Sequence, residues 1–238
     1  MTVESGAGVA FGLSGPKTLR GALLVVSLTI ATGVALLLPT PTANAERFVG
    51  TDREDAIFGT ARPDRILARG GDDNVFAGAG ADIVRGGSGG DTIRMGSPKP
   101  AVWKRMEFAN GGPGTDVLLG TGARDRLNGG GASDLLVGRS GADVLTDGDG
   151  PDDLDGDLGR DLIRLTGGGR DHATGGPDRD VFIVFRDGSP DKISCGSGRD
   201  TVEFRFRREA IDQTTDCEIE RVGGTNRKLA QRSVEGGS

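Results

Sequence analysis

Tyrosine is absent from the 238-residue chain, tryptophan and histidine occur once each, and aromatics together make up 4 % of it. A core built on large aromatic side chains is therefore excluded. One histidine, His172, and two cysteines, Cys195 and Cys217, are too few for a zinc cluster or a cysteine–histidine pair. His172 reads as an ordinary exposed residue, and no catalytic set can be assembled. A basic excess is also missing: the formal net charge is −6, which argues against nucleic acid as a partner and for cations.

Long apolar runs are lacking too, with one exception. Lys17 and Arg20 precede an uncharged run from Gly21 to Leu38, followed by Pro39, Pro41 and Ala43-Asn44-Ala45. A basic segment, an apolar segment and an A-x-A site predict a secretory signal over residues 1–45, cleaved after Ala45. The alternative is an uncleaved anchor, since eighteen apolar residues just span a bilayer. Cleavage makes the product a secreted, extracellular protein that meets the membrane only through its signal. In that oxidising setting an even pair of cysteines predicts a Cys195–Cys217 disulfide.

What the chain does have is glycine, 43 residues of it, and a register. Blocks of nine from Gly50 read GTDREDAIF, GTARPDRIL, ARGGDDNVF, AGAGADIVR and GGSGGDTIR. Their sixth position is always aspartate (Asp55, Asp64, Asp73, Asp82, Asp91) and their eighth always Ile or Val. From Gly111 the register resumes through Asp116, Asp125, Asp134, Asp143, Asp152 and Asp161, then loosens through Asp171, Asp180, Asp191 and Asp200. A disordered glycine-rich linker has no reason to keep such a register.

The spacing suits a hard cation. Calcium takes six to eight oxygens, and a glycine turn aims backbone carbonyls inward without Cβ clashes. Repeats eighteen residues apart would stack, placing Asp55, Asp73 and Asp91 on one edge and Asp64 and Asp82 on the other. Stacked carboxylates at the strand spacing of about 4.8 Å repel by roughly 1 kcal/mol even in water. A cation between them reverses that sign. One inward apolar side chain per nine residues is thin support against the entropy of ordering nine residues, so metal must help the fold.

The blocks resemble G-G-x-G-x-D-x-U-x, the RTX (haemolysin-type) calcium-binding nonapeptide, which GGSGGDTIR and GGPGTDVLL match in full. The resemblance implies an all-β fold, a right-handed parallel β-roll with two repeats per coil, binding several calcium ions. Beside the fifteen aspartates, it implies metal-facing glycines at Gly71, Gly80, Gly87, Gly89, Gly112, Gly114, Gly141, Gly150 and Gly159. Arg53, Arg62, Ala123, Ala132, Asp178 and Ser189 replace the fourth-position glycine, which sets those turns apart as weaker sites. The ending C-G-x-G-x-D-T-V followed by D-C-E resembles that of exported relatives and implies a disulfide-tied cap.

The predicted organisation is a signal over 1–45, a roll over 46–203 with an insertion at 95–110, cap strands over 204–222 and a flexible tail over 223–238. The insertion holds Trp103, making it the candidate loop for an unknown extracellular partner. The expected function is that of a secreted, non-enzymatic protein that folds on binding calcium. An extracellular structural or adhesive protein using the rigid roll is the alternative. Two competing motifs fail. Gly86–Gly90 satisfies the G-x-S-x-G of serine hydrolases, but Ser88 lies at a variable repeat position with no helix pattern after it. Asp153, Asp155 and Asp157 have the first EF-hand spacings, but Leu158 and Arg164 occupy the required glycine and glutamate positions.

Overall fold

The computed structural model describes residues 26–29, 35–38, 46–96, 106–206, 212–222 and 225–228. Among the described residues every regular element is a strand. The chain alternates between two eleven-stranded sheets. Asp55–Phe58 lies in sheet A, Arg65–Gly70 in sheet B, Asn74–Phe76 in A and Ile83–Ser88 in B. Pairing is parallel, and eighteen residues separate partners in the regular coils: Ile57 faces Val75 and Ile66 faces Val84. The result is a parallel β-solenoid of about nine turns, each made of two repeats.

Sequence explains both halves of the coil. The last residues of each block are β-branched or leucine and extend into short strands. The turns need glycine: Gly159 sits at φ +134°, and a Cβ there would occupy the space of the Gly141 carbonyl one coil earlier. The eighth-position side chains fill the space between the sheets. Ile57, Ile93, Leu118 and Leu136 from A and Leu127, Leu145, Ile163 and Phe182 from B are all fully buried. A second inward column appears at the first position wherever glycine is replaced, as at Ala68, Met95, Leu165, Val184 and Phe204.

The insertion is smaller than the 95–110 read from the sequence. Met95 is fully buried, and Glu107–Pro113 is a strand of sheet B whose Ala109 pairs with both Val84 and Leu127. Val84 and Ala109 are 25 residues apart rather than eighteen, so seven residues are extra. Residues 97–105, with Trp103 and Val102, lie outside the described residues.

The carboxyl end also differs. Gln213–Thr215 pairs in parallel with sheet A and Ile219–Val222 with sheet B. The segment expected as a separate cap is thus one more coil of the roll. Thr225–Lys228 then turns back antiparallel on Ile219–Val222, where a loose tail was expected. Gly223-Gly224 is a pair suited to a two-residue hairpin loop. The Cys195–Cys217 disulfide joins the last coils, with Cα atoms 5.2 Å apart and a sequence separation of 22. At the other end, Val26–Thr29 and Ala35–Leu38, both within the candidate signal, form a hairpin. Ala35–Leu38 extends sheet A beside Asp55–Phe58.

Candidate metal centre

Each sixth-position aspartate stands where a turn enters its strand, and consecutive coils stack these side chains into two columns. The columns are hydrogen-bonded ladders. The Asp55 amide donates to Asp73 Oδ1 at 2.8 Å, the Asp73 amide to Asp91 Oδ1 at 2.9 Å, and the Asp91 amide to Asp116 Oδ1 at 2.7 Å. Column A continues through Asp134, Asp152, Asp171 and Asp191 to Asp212. Column B holds Asp64, Asp82, Asp125, Asp143, Asp161, Asp180 and Asp200, then Glu218, which accepts the Asp200 amide at 2.6 Å.

Three column members were missed in the sequence. Glu107 takes the place between Asp82 and Asp125, two residues before inward Ala109. Asp212 and Glu218 take the last places, but the residues two positions on are Thr214 and Glu220 rather than apolar. The dependable signal, aspartate followed by an aliphatic two residues later, is absent at all three.

One carboxylate oxygen per rung is thus occupied by the protein. The other is not: the Oδ2 atoms of eleven aspartates, Asp73, Asp82, Asp91, Asp116, Asp134, Asp143, Asp152, Asp161, Asp171, Asp180 and Asp200, are buried and accept no hydrogen bond. An unsatisfied buried acceptor costs about 1–3 kcal/mol, more when charged. In six of these turns Oδ2 faces a first-position glycine. A Cβ at Gly86 would run into Asp91 Oδ2, and one at Gly111 into Asp116 Oδ2.

Burial is the main force on the acids. It raises Asp73 and Asp116 to about 7, Asp143 to about 8 and Asp91 to about 6, against the opposing amide hydrogen bond of the preceding rung. Glu107 is raised to about 9 by burial, then by the charges of Asp125 and Asp82. Burial in the columns therefore opposes ionisation, and a cation beside these oxygens would favour it.

Three turns are built differently. In G-T-x-x-x-D the threonine amide and hydroxyl both donate to the aspartate. Thr60 reaches Asp64 Oδ2 at 2.7 and 2.9 Å, and Thr121 reaches Asp125 Oδ2 at 2.6 and 3.0 Å. Thr51 does the same to Asp55 Oδ2 at 2.5 and 3.1 Å. These are the turns whose fourth residue is Arg53, Arg62 or Ala123. By contrast Ala132 and Asp178, also at fourth positions, adopt φ of 80° and 84° like glycine, and their turns leave Asp134 and Asp180 with a free Oδ2. Lack of the fourth glycine therefore does not by itself satisfy Oδ2; threonine at the second position does, although Asp55 and Asp125 keep a buried Oδ1 without a hydrogen bond.

The donor set fits calcium, a hard ion bound through carboxylate and carbonyl oxygen in flexible geometry. Ser88 ends strand Ile83–Ser88 and is followed by a bend and another strand, not a helix. His172 lies 3.6 Å from Asp153 on the surface of sheet A. Its strand is four strands beyond Thr92–Arg94, the strand after Ser88, or roughly 19 Å at the usual spacing. The two cannot form a catalytic pair.

The family model of the RTX calcium-binding nonapeptide repeat matches four times, at residues 49–84, 58–93, 110–145 and 129–163. No curated protein matches the chain. The matched segments coincide with the stacked aspartate turns. The chain therefore carries RTX calcium-binding nonapeptide repeats over residues 49–93 and 110–163.

Proposed function

We propose that the protein is exported and non-enzymatic, and that its roll forms when calcium fills the open turns. The observation that carries this is the stack of buried, unpartnered aspartate oxygens. Bound cations supply the positive charge that the columns lack, so each anion ceases to oppose its neighbours. Asp73, Asp82, Asp91, Asp116, Asp134, Asp143, Asp152, Asp161, Asp171, Asp180 and Asp200 would hold calcium. Gly71, Gly80, Gly87, Gly89, Gly112, Gly114, Gly141, Gly150 and Gly159 keep the turns free of Cβ atoms. Asp64, both of whose oxygens accept hydrogen bonds, is assigned a structural role instead. Calorimetry with calcium tests the assignment: Asp91→Asn should lower the number of ions bound, and Asp64→Asn should leave it unchanged.

Export rests on residues 1–45. Cleavage after Ala45 would remove the Val26–Leu38 hairpin and leave Asp55–Phe58 as the outer strand of sheet A. Amino-terminal sequencing of the protein recovered outside the cell should begin at Glu46, and a mature form retaining Met1 would contradict this. The roll then spans 46–222. The adhesive alternative draws on one surface feature: Phe58 and Phe76 stack 5.6 Å apart on sheet A, with Arg94 5.1 Å from the Phe76 ring. A partner-binding test by deletion should be confined to 97–105, because Met95, Glu107 and Ala109 belong to the core of the roll.

A further inference from the structure

Five aspartates converge on column A over three successive coils, and two of them stand outside the repeat. Asp152, Asp171 and Asp191 are sixth-position rungs. Asp147 occupies the first position of its turn, usually glycine, and is fully buried. Asp187 lies four residues before Asp191, at a second position, and is half-buried. Carboxylate oxygens of Asp147, Asp152 and Asp171 lie within 4.8 Å of one another, and so do those of Asp171, Asp187 and Asp191. Asp171 belongs to both triads.

The two additional side chains are held in place. The Thr166 amide and hydroxyl donate to Asp147 Oδ1, both at 2.8 Å. The Gly169 amide donates to Asp187 Oδ2 at 3.1 Å and the Ser189 amide to its Oδ1 at 2.9 Å. Meanwhile Asp152 and Asp171, 3 % and 1 % exposed, each keep a buried oxygen without a hydrogen bond. Fixed extra anions stand here beside unsatisfied buried acceptors, and among the described residues these are the two groups in which three carboxylates bring oxygens within 4.8 Å of one another.

We propose that Asp147 and Asp187 complete two adjacent calcium sites that share Asp171 and bind more tightly than the other turns. This rests on the calcium reading above and adds a rank order to it. In the turns of Asp152 and Asp191 a second carboxylate comes within 4.8 Å of the rung, which, among the described residues, the extra acids of other turns do not do in a group of three. High carboxylate number and irregular geometry favour calcium over magnesium, which demands an octahedron and keeps its water.

Calorimetric calcium titration of the full chain, with and without excess magnesium, tests this. The wild type should show a tight class of two ions apart from a weaker remainder. Asp147→Asn with Asp187→Asn should weaken that class at least tenfold while the remaining ions still bind. Asparagine keeps the size and one of the two acceptor oxygens that the backbone amides use at each position, and circular dichroism at saturating calcium checks the fold. If the double variant does not fold, Asp187→Asn alone must weaken one of the two ions. A tight class unchanged in the folded variants, or absent from the wild type, overturns the proposal while weaker binding leaves the calcium reading standing. A chain that binds no calcium at all overturns both.

Discussion

The amino-terminal turns at Asp55 and Asp64 and the central turns at Asp143, Asp152 and Asp161 share one backbone path but close it by different means. In the first pair Thr51 and Thr60 each supply an amide and a hydroxyl to the aspartate. In the central turns the second positions are Arg139, Gly148 and Asp157, none of which donates a hydroxyl, and Oδ2 is left buried and unbonded. One side chain thus decides which carboxylate oxygen is satisfied: threonine satisfies Oδ2, and at Asp55 it is Oδ1 that stays buried and unbonded. The roll is therefore a graded object. Turns with a threonine donor start it, and Thr121 adds another beside Glu107, at the coil that resumes after the inserted segment.

The largest effect that would sharpen this contrast is pH in the presence of chelator. Asp73, Asp116 and Asp143 have folded values raised to about 7, 7 and 8 from 3.8, with burial as the first cause. A raised acid favours the protonated folded state, so its contribution is full below the unfolded value of about 4 and is lost as pH rises through the folded value. The metal-free chain should gain strand signal on moving from pH 8 to pH 5, and with calcium present that gain should vanish. Loss of strand signal on acidification in chelator would break the account of the open turns.

Next in size is the disulfide. Reduction of Cys195–Cys217, which spans a sequence separation of 22, should cost about 3 kcal/mol, read as a lower denaturation midpoint in saturating calcium. Removing one open site should cost about 2.7 kcal/mol at calcium a hundredfold above its dissociation constant. Asp143→Asn should show this loss in calcium and not in chelator. Thr121→Val attacks a threonine-bonded turn instead, leaving Asp125 Oδ2 short of its hydroxyl donor; a loss of about 1–3 kcal/mol is expected in calcium. Thr121→Gly should go further and render that turn calcium-responsive. Smallest is Ala132→Gly. The left-handed backbone there, φ 80°, costs alanine roughly 1–2 kcal/mol. Glycine's greater unfolded freedom offsets about 0.5–1 of that, leaving a net gain of about 0.5 kcal/mol.

The repeating part of the fold was legible because each residue class in it has one physical task. Aspartate at the sixth position and an aliphatic at the eighth give the half-coil advance, and the observed pairs Ile57–Val75 and Leu118–Leu136 follow it. Column membership was readable by the same arithmetic. Less legible was whatever depends on exchange between residue types. Glu107 does an aspartate's work after seven inserted residues, with alanine as its inward partner. The last coil substitutes Asp212 and Glu218 ahead of Thr214 and Glu220, so no apolar period marks it. The threonine closure was invisible because Thr51, Thr60 and Thr121 sit at a position read only for its glycine. Absence of the fourth-position glycine pointed to those turns, and wrongly set Ala132 and Asp178 beside them.

The central claim is that the open columns need a cation before the roll is stable. Far-ultraviolet circular dichroism of the purified protein, followed through a calcium titration at neutral pH after exhaustive chelation, tests it most directly. The account predicts a largely unordered chain that acquires its strand signal cooperatively as calcium is added and loses it again in chelator. A strand signal already complete in chelator, and unchanged by calcium, would contradict it.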